Sequence, residues 1–205
     1  MRPPAIVALA TGNPGKVAEF NTLLTDFDTL VRPQSYWAVP EAAETGTTFI
    51  ENAIIKARNA CAHTGLPAIA DDSGMEIPAL DGEPGVYSAR WAGPDADDEQ
   101  NNARLIDALL DLSPDERLAY YRCVLVYLRH AADPAPLIAE GVWQGEVIET
   151  ASGTGGFGYD PHFYLPEHQC TVAALDSATK NRCSHRGKAL HDLRKTLEQE
   201  WQSHP

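Results

Sequence analysis

Ten consecutive residues, Tyr120–Arg129 (YYRCVLVYLR), form the strongest strand signal in the chain and commit it to a sheet. The run is rich in aromatic and β-branched side chains, which fit a pleated, half-buried surface. A turn at Asp133-Pro134-Ala135-Pro136 follows, so Leu137–Val142 is expected to pair back as a hairpin. Ala5–Ala10 (AIVALA) and Ala68–Ala70 read as short buried strands, and Leu30–Val31 and Tyr36–Val39 as weaker ones. Helical spacing separates them. Val17, Phe20, Leu23, Leu24 and Phe27 share one face. Thr48–Glu51 is a capping-box pattern opening a helix that carries Ile50, Ala53, Ile54, Ala57 and Cys61 and is closed by Gly65. Further helices are expected over Asp97–Leu110 and about Arg186–Trp201, the last carrying Leu190, Leu193 and Leu197. This mixture predicts an α/β fold whose sheet is part parallel and part antiparallel. No repeat, low-complexity tract or linker interrupts residues 1–205, which read as a single domain able to bury a core without disulfide or zinc.

Charge narrows the function classes. The formal net charge is −13, which repels nucleic acid and anionic membrane. A small anionic substrate remains compatible, because a few lysines and a divalent cation make a local positive site on an acidic protein. The four cysteines, Cys61, Cys123, Cys170 and Cys183, contain no CxxC pair and suit a reducing cytoplasm. Ala5–Ala10 is too short for a signal-peptide core, and no stretch approaches a membrane-spanning length. A cytoplasmic location is expected.

Four segments can carry chemistry. Thr11-Gly12-Asn13-Pro14-Gly15-Lys16 joins a strand to a helix, where backbone N–H groups and the helix dipole favour an anion and Lys16 adds a mobile charge. It lacks the Walker A spacing, and an ordinary turn with a surface lysine is the plainer alternative. Asp71-Asp72-Ser73-Gly74 follows a buried strand, where paired carboxylates are costly without a cation or donors. Glu41 and Glu44 could complete an oxygen-rich shell for magnesium; a turn with Asp caps is the alternative. Gly153–Asp160 (GTGGFGYD) lets backbone approach a ligand and offers Phe157 or Tyr159 to stack on a base; a flexible hairpin is the alternative. Lys180 and Ser184-His185-Arg186-Gly187-Lys188 put cations at the start of the last helix, against the usual dipole preference, as suits a site facing an anion or a keto oxygen. A solvated basic patch with a capping serine is the alternative.

Taken in order, these segments make the chain resemble the inosine triphosphate pyrophosphatase family, the dITP/XTP pyrophosphatases. The resemblance rests on ATGNPGK at 10–16, ETGTTFIENAIIKA at 44–57, AIADDSG at 68–74, PGVYSARWAG at 84–93, GTGGFGYDP at 153–161 and SHRGKAL at 184–190. It covers essentially the whole chain and looks closest to the bacterial form. It implies an α/β fold with a long central mixed sheet between two lobes, helices packed around it and the nucleotide in the cleft between the lobes. It also implies a homodimer, Mg2+, and cleavage of dITP, ITP or XTP to the monophosphate and pyrophosphate. By resemblance, Thr11, Gly12, Asn13, Pro14, Gly15 and Lys16 hold the phosphates. Glu44 and Asp72 hold magnesium, and Asp72 is the general base. Ser73 contacts substrate, as do Lys180, His185 and Arg186. Phe157, Gly158, Tyr159 and Asp160 surround base and sugar. The division of roles between Asp71 and Asp72 stays open. A pyrophosphatase for modified pyrimidine nucleotides and a non-catalytic nucleotide sensor are the rival readings; a sensor has no need of the Asp72 and Glu44 carboxylates.

Overall fold

The structure is a computed structural model that describes residues 2–11 and 13–202. Among the described residues, seven strands form one mixed sheet in the order β2-β1-β3-β4-β5-β6-β7. They are β1 (Ile6–Leu9), β2 (Leu30–Pro33), β3 (Ala68–Glu76), β4 (Leu118–Leu128), β5 (Leu137–Val147), β6 (Phe163–Leu165) and β7 (Cys170–Thr171). β1 pairs parallel with β2 and β3, whereas β6 pairs antiparallel with β5 and β7. The helices are α1 (Pro14–Leu24), α2 (Phe49–Thr64), α3 (Asp98–Leu109), α4 (Ser177–Cys183) and α5 (His185–Gln202).

Local chemistry explains the helix ends. Thr48 Oγ1 accepts from Glu51 N (3.2 Å) and Glu51 Oε2 accepts from Thr48 N (3.0 Å), the expected capping box of α2. Gly65 ends that helix in the left-handed region, at φ 68°. Asp97 and Gln100 make the same reciprocal pair at α3.

Three elements differ from expectation. Tyr36–Val39 is not a strand: Gln34–Trp37 form a 3-10 turn, and Ala38 N donates back to Ser35 O (3.1 Å). Ala38 closes that turn at φ 52°, in the left-handed region, so the chain there is not extended. Second, β3 does not stop at Ala70. It runs through Asp71, Asp72 and Ser73 to Glu76, because lysines compensate both carboxylates and the strand then buries Met75. Third, Lys180 lies not on the last helix but on α4, which Ser184 separates from α5.

The chain divides into two compact units, each built from segments distant in sequence. Unit 1 comprises residues up to 72, 123–141 and those from 188 onward; unit 2 comprises 73–122 and 142–187. Val7, Leu9, Phe20, Ile69, Leu125, Tyr127 and Leu193 form the core of unit 1. Met75, Ile77, Leu105, Tyr121, Trp143 and Phe163 belong to the core of unit 2. Each such side chain contributes roughly 1.5–3 kcal/mol when fully buried.

The turn after β4 is held by a buried carboxylate. Asp133 accepts from Arg129 N (2.9 Å), Arg129 Nε (2.9 Å) and Ala135 N (3.0 Å), while Arg129 Nη1 reaches Glu200 on α5 (2.8 Å). Burial alone would raise the Asp133 carboxyl, but the Arg129 bonds outweigh it and hold it at about 2. Because that value is lowered by folding, its contribution to stability is full above the unfolded carboxyl's pKa of about 4. It is lost as pH falls toward about 2. Asp133→Ala should therefore lower unfolding free energy at pH 7 by about 3 kcal/mol, measured by denaturant titration, with the deficit shrinking below pH ~4.

Candidate active site

In unit 1, α1, α2 and β3 bring five charged side chains together. Asp71 and Asp72 are neighbours on β3, so their side chains leave the sheet on opposite faces. Asp71 Oδ2 accepts from Lys16 Nζ on α1 at 2.6 Å, and Asp72 Oδ1 accepts from Lys56 Nζ on α2 at 2.6 Å. Lys56 Nζ also donates to Glu44 Oε1 at 3.1 Å. Asn52, one turn before Lys56, is fully buried; its Oδ1 accepts from Gly46 N (2.8 Å) and its Nδ2 faces Asp72 Oδ2 at 3.5 Å. Asn52 thus ties the loop bearing Glu44 to the strand bearing Asp72.

Burial pushes the Asp72 carboxyl upward, with Glu44 and Asp71 adding to that, and the Lys56 ammonium only partly reverses it. The net position is above the usual carboxylate range. Burial pulls the Lys56 ammonium down, but Asp72, Glu44 and Asp71 outweigh it, so Lys56 keeps its proton more firmly than an exposed lysine.

Thr11, Lys16, Gln34, Glu41, Glu44, Lys56 and Asp71 line a pocket of about 210 Å³. Asp72 lies beside it, bonded to the wall lysine Lys56. Two lysines here meet four carboxylates, Glu41, Glu44, Asp71 and Asp72, a formal excess of two negative charges. Such a site repels a triphosphate unless a divalent cation enters with it. Among the described residues no three Asp, Glu, His or Cys side chains converge closely enough to hold a metal alone. Magnesium suits this donor set, since it is commonly held by one or two carboxylates with the remaining positions left to water and phosphate oxygen. Glu44 and Asp72, both in contact with one ammonium, are two carboxylates that could serve as such a pair.

At the expected phosphate loop, the structure gives Asn13 a helix-capping contact. The helix starts at Pro14, and Asn13 caps it: Asn13 Oδ1 accepts from Gly15 N (2.8 Å) and Lys16 N (3.4 Å). Those N–H groups, expected to face an anion, are engaged by the protein's own carboxamide. Thr11 Oγ1 accepts from Asn13 N (3.1 Å). Gly12 lies outside the described residues.

In unit 2 the glycine-rich loop is organised around Asp160. This buried carboxylate accepts from Phe157 N (3.0 Å), Lys180 Nζ (2.5 Å) and Tyr121 OH (3.2 Å). A Cβ at Gly156, which has φ 79°, would stand 1.9 Å from Asp160 Oδ2, so only glycine fits there. Tyr121 stacks between Phe163 (ring centroids 4.2 Å apart) and His185 (4.9 Å). Burial first, then the Asp160 charge, pushes its hydroxyl well above the ordinary range, so it stays a proton donor to Asp160. Phe157 is 63% exposed, with Lys180 Nζ 5.2 Å from its ring centroid. Tyr159 is buried instead; its hydroxyl donates to Ser88 O (2.8 Å) and its ring meets Trp91 edge-on. Of the two aromatics considered for stacking, Phe157 is the one whose ring is exposed. Ser184 Oγ accepts from Gly187 N (3.1 Å), and His185 and Arg186, both half-buried, begin α5. Ser73 follows Asp72 along β3 and is half-buried.

Sequence reasoning singled out Lys16, Asp71, Asp72 and Glu44 but passed over Lys56 and Asn52. Their i, i+4 spacing on α2 was the available signal, since two polar groups one turn apart interrupt an otherwise apolar face.

The profile of the Ham1 family matches residues 7–196. A protein from Thioalkalivibrio sulfidiphilus named dITP/XTP pyrophosphatase is 56% identical over 192 residues, 94% of this chain and 98% of that one. One of the same name from Vibrio cholerae is 54% identical over 194 residues, 95% and 97% of the two chains. Among solved structures, a HAM1 protein from Coxiella burnetii superposes with a TM-score of 0.91 at 48% identity, over 95% of this chain and 98% of that one. With a profile that takes in both pocket lysines, Glu41, Glu44, Asp71 and the neighbouring Asp72, and with relatives this similar over nearly their full length, the chain belongs to the Ham1 family.

Proposed function

We propose that the protein hydrolyses deaminated purine nucleoside triphosphates, dITP, ITP and XTP, to the monophosphate and pyrophosphate. It acts with magnesium, as a cytoplasmic homodimer in which residues 1–205 work as one two-lobed domain. The observation carrying this reading is the pairing of Lys16 with Asp71 and of Lys56 with Asp72 and Glu44 around one pocket. The names of the Thioalkalivibrio and Vibrio relatives supply the substrate class. The dimer and the magnesium follow from the family resemblance, and four free cysteines suit a reducing compartment. No described helix is long and apolar enough to cross a membrane.

Phosphoryl-type transfer asks a protein mainly for positioning and charge neutralisation. Lys16 and Lys56 line the pocket and neutralise the triphosphate, with Thr11 beside them. Asp72, raised toward neutrality by burial, accepts the proton of the water that attacks the α-phosphorus. Glu44 and Asp72 would hold magnesium, which would supply charge neutralisation and activation of water when bound. In unit 2, Phe157 stacks on the purine and Lys180 adds positive charge over that ring. Ser73 contributes a substrate contact. His185 and Arg186 donate to the 6-keto oxygen, an acceptor that adenine replaces with an amino donor. A site built around such a bond can reject the wrong group by as much as ~10⁴-fold.

A panel of ITP, XTP, GTP, ATP and pyrimidine triphosphates, with magnesium and with chelator, tests the proposal. Pyrophosphate and monophosphate should appear from ITP and XTP, at least ~10²-fold faster than from ATP, and only with the metal. Release of orthophosphate with a diphosphate product would place the attack on the γ-phosphorus and reject the reading. Binding of ITP without turnover would make the protein a sensor.

A further inference from the structure

We infer that α3 governs base recognition from outside the site, with Asp98 and Asn102 as positioning residues for the glycine-rich loop. The inference rests on the proposed stacking role of Phe157.

Asp98 and Asn102 are four residues apart on α3 and so share one face. Together they hold both polar groups of Gly158. Asp98 Oδ2 accepts from Gly158 N at 2.6 Å, and Asn102 Nδ2 donates to Gly158 O at 2.9 Å. Gly158 sits at φ 60°, in the left-handed region where glycine is favoured. The amide that Asp98 holds is the one that links Phe157 to Gly158. On its other side Phe157 N is held by Asp160. The backbone of Phe157 is therefore fixed at both ends, while its ring remains exposed.

Asp98 is not needed to cap its own helix. Asp97 and Gln100 already form the capping box of α3, and Leu105 and Leu109 anchor the helix in the core of unit 2. The helix also grips a second segment: Asn101 Oδ1 accepts from Ala92 N (2.9 Å) and Asn101 Nδ2 donates to Ala89 O (3.1 Å). A rigid, core-anchored helix thus sets where the loop presents its one exposed ring. Base reading depends on that placement, because hydrogen bonds to the purine edge weaken steeply with misalignment.

The experiment compares Asp98→Ala, Asp98→Asn, Asn102→Asp and Phe157→Ala with the native protein. It measures kcat and KM on ITP and ATP, melting temperature, and amide hydrogen exchange over 153–160. Asp98→Ala and Asn102→Asp should raise KM for ITP by ~3–10-fold, with kcat within about twofold, as expected for losing one hydrogen bond. Both should narrow the preference for ITP over ATP and speed exchange in the loop. Asp98→Asn should restore native behaviour, because the carboxamide oxygen still accepts from Gly158 N. Asn102→Asp keeps the side-chain shape but turns an acceptor toward Gly158 O, which guards against a mere packing effect. Native KM and native exchange in both clamp variants, with KM raised in Phe157→Ala, would overturn the inference and leave the function standing. An unchanged KM in Phe157→Ala would instead remove the stacking role of Phe157, and the inference with it.

Discussion

Asp72→Asn should lose about 10²–10⁴-fold in kcat on ITP while the protein stays folded. The substitution keeps the side-chain shape and an oxygen that can accept from Lys56. It removes the negative charge that meets the Lys56 ammonium and the group proposed to take the proton of the attacking water. Stability should respond in the opposite sense. Burial, with Glu44 and Asp71 nearby, raises the Asp72 carboxyl above its usual range. A carboxyl raised by folding favours the fold in its neutral form, and that contribution is lost as pH rises through the folded pKa. At pH 7 in chelator, the neutral amide should therefore melt at or above the native temperature. A collapse of turnover without a loss of stability is the expected pattern for a group kept for chemistry. Near-native turnover at saturating magnesium would move the role of base to Asp71 or Glu44.

Lys56→Met should give the converse pattern on stability and a comparable one on rate. Methionine keeps the length of the stem and removes the charge that lies 2.6 Å from Asp72 and 3.1 Å from Glu44. Losing one charge-stabilising donor in such a site lowers kcat by about 10²–10³-fold. Two carboxylates are then left without their shared partner in a half-buried setting. Breaking a buried pair on one side costs about 3 kcal/mol, so the melting temperature should fall. Lys56 is also the group that pulls the Asp72 carboxyl down, so its loss drives that carboxyl further up. The acid limb of the rate profile should accordingly move to higher pH. Combining Lys56→Met with Asp72→Asn should recover part of the stability but not activity, since of the two unpaired carboxylates only Glu44 then remains charged. Native melting and native turnover in Lys56→Met would make this lysine a surface group with no part in the site.

Several features needed nothing beyond nearby residues. The capping boxes at Thr48–Glu51 and Asp97–Gln100 join groups three positions apart, so their chemistry is complete within one helical turn. The length and composition of β4 made it a strand wherever it came to lie. The lysine and carboxylate segments, and the family to which they belong, could be read in order along the chain.

Other features depended on partners distant in sequence. Two adjacent aspartates look like the end of a strand until Lys16, 55 positions from Asp71, and Lys56, 16 positions from Asp72, make their charges tolerable inside one. Lys56 itself looks like a solvated helix residue until α2 is packed so that its ammonium meets Asp72 and Glu44. The choice between Phe157 and Tyr159 was equally hidden. Both are aromatic rings in a glycine-rich stretch, and only the bonds from Asp160, Asp98 and Asn102 to the loop backbone, and from Tyr159 to Ser88, decide which ring is buried. The sequence by itself therefore determined the fold class and the family, because hydrophobic period, capping and the order of segments are local. Tertiary structure decided which charges pair, where β3 ends and which ring faces solvent, because ion pairing and burial are properties of groups that only folding brings together.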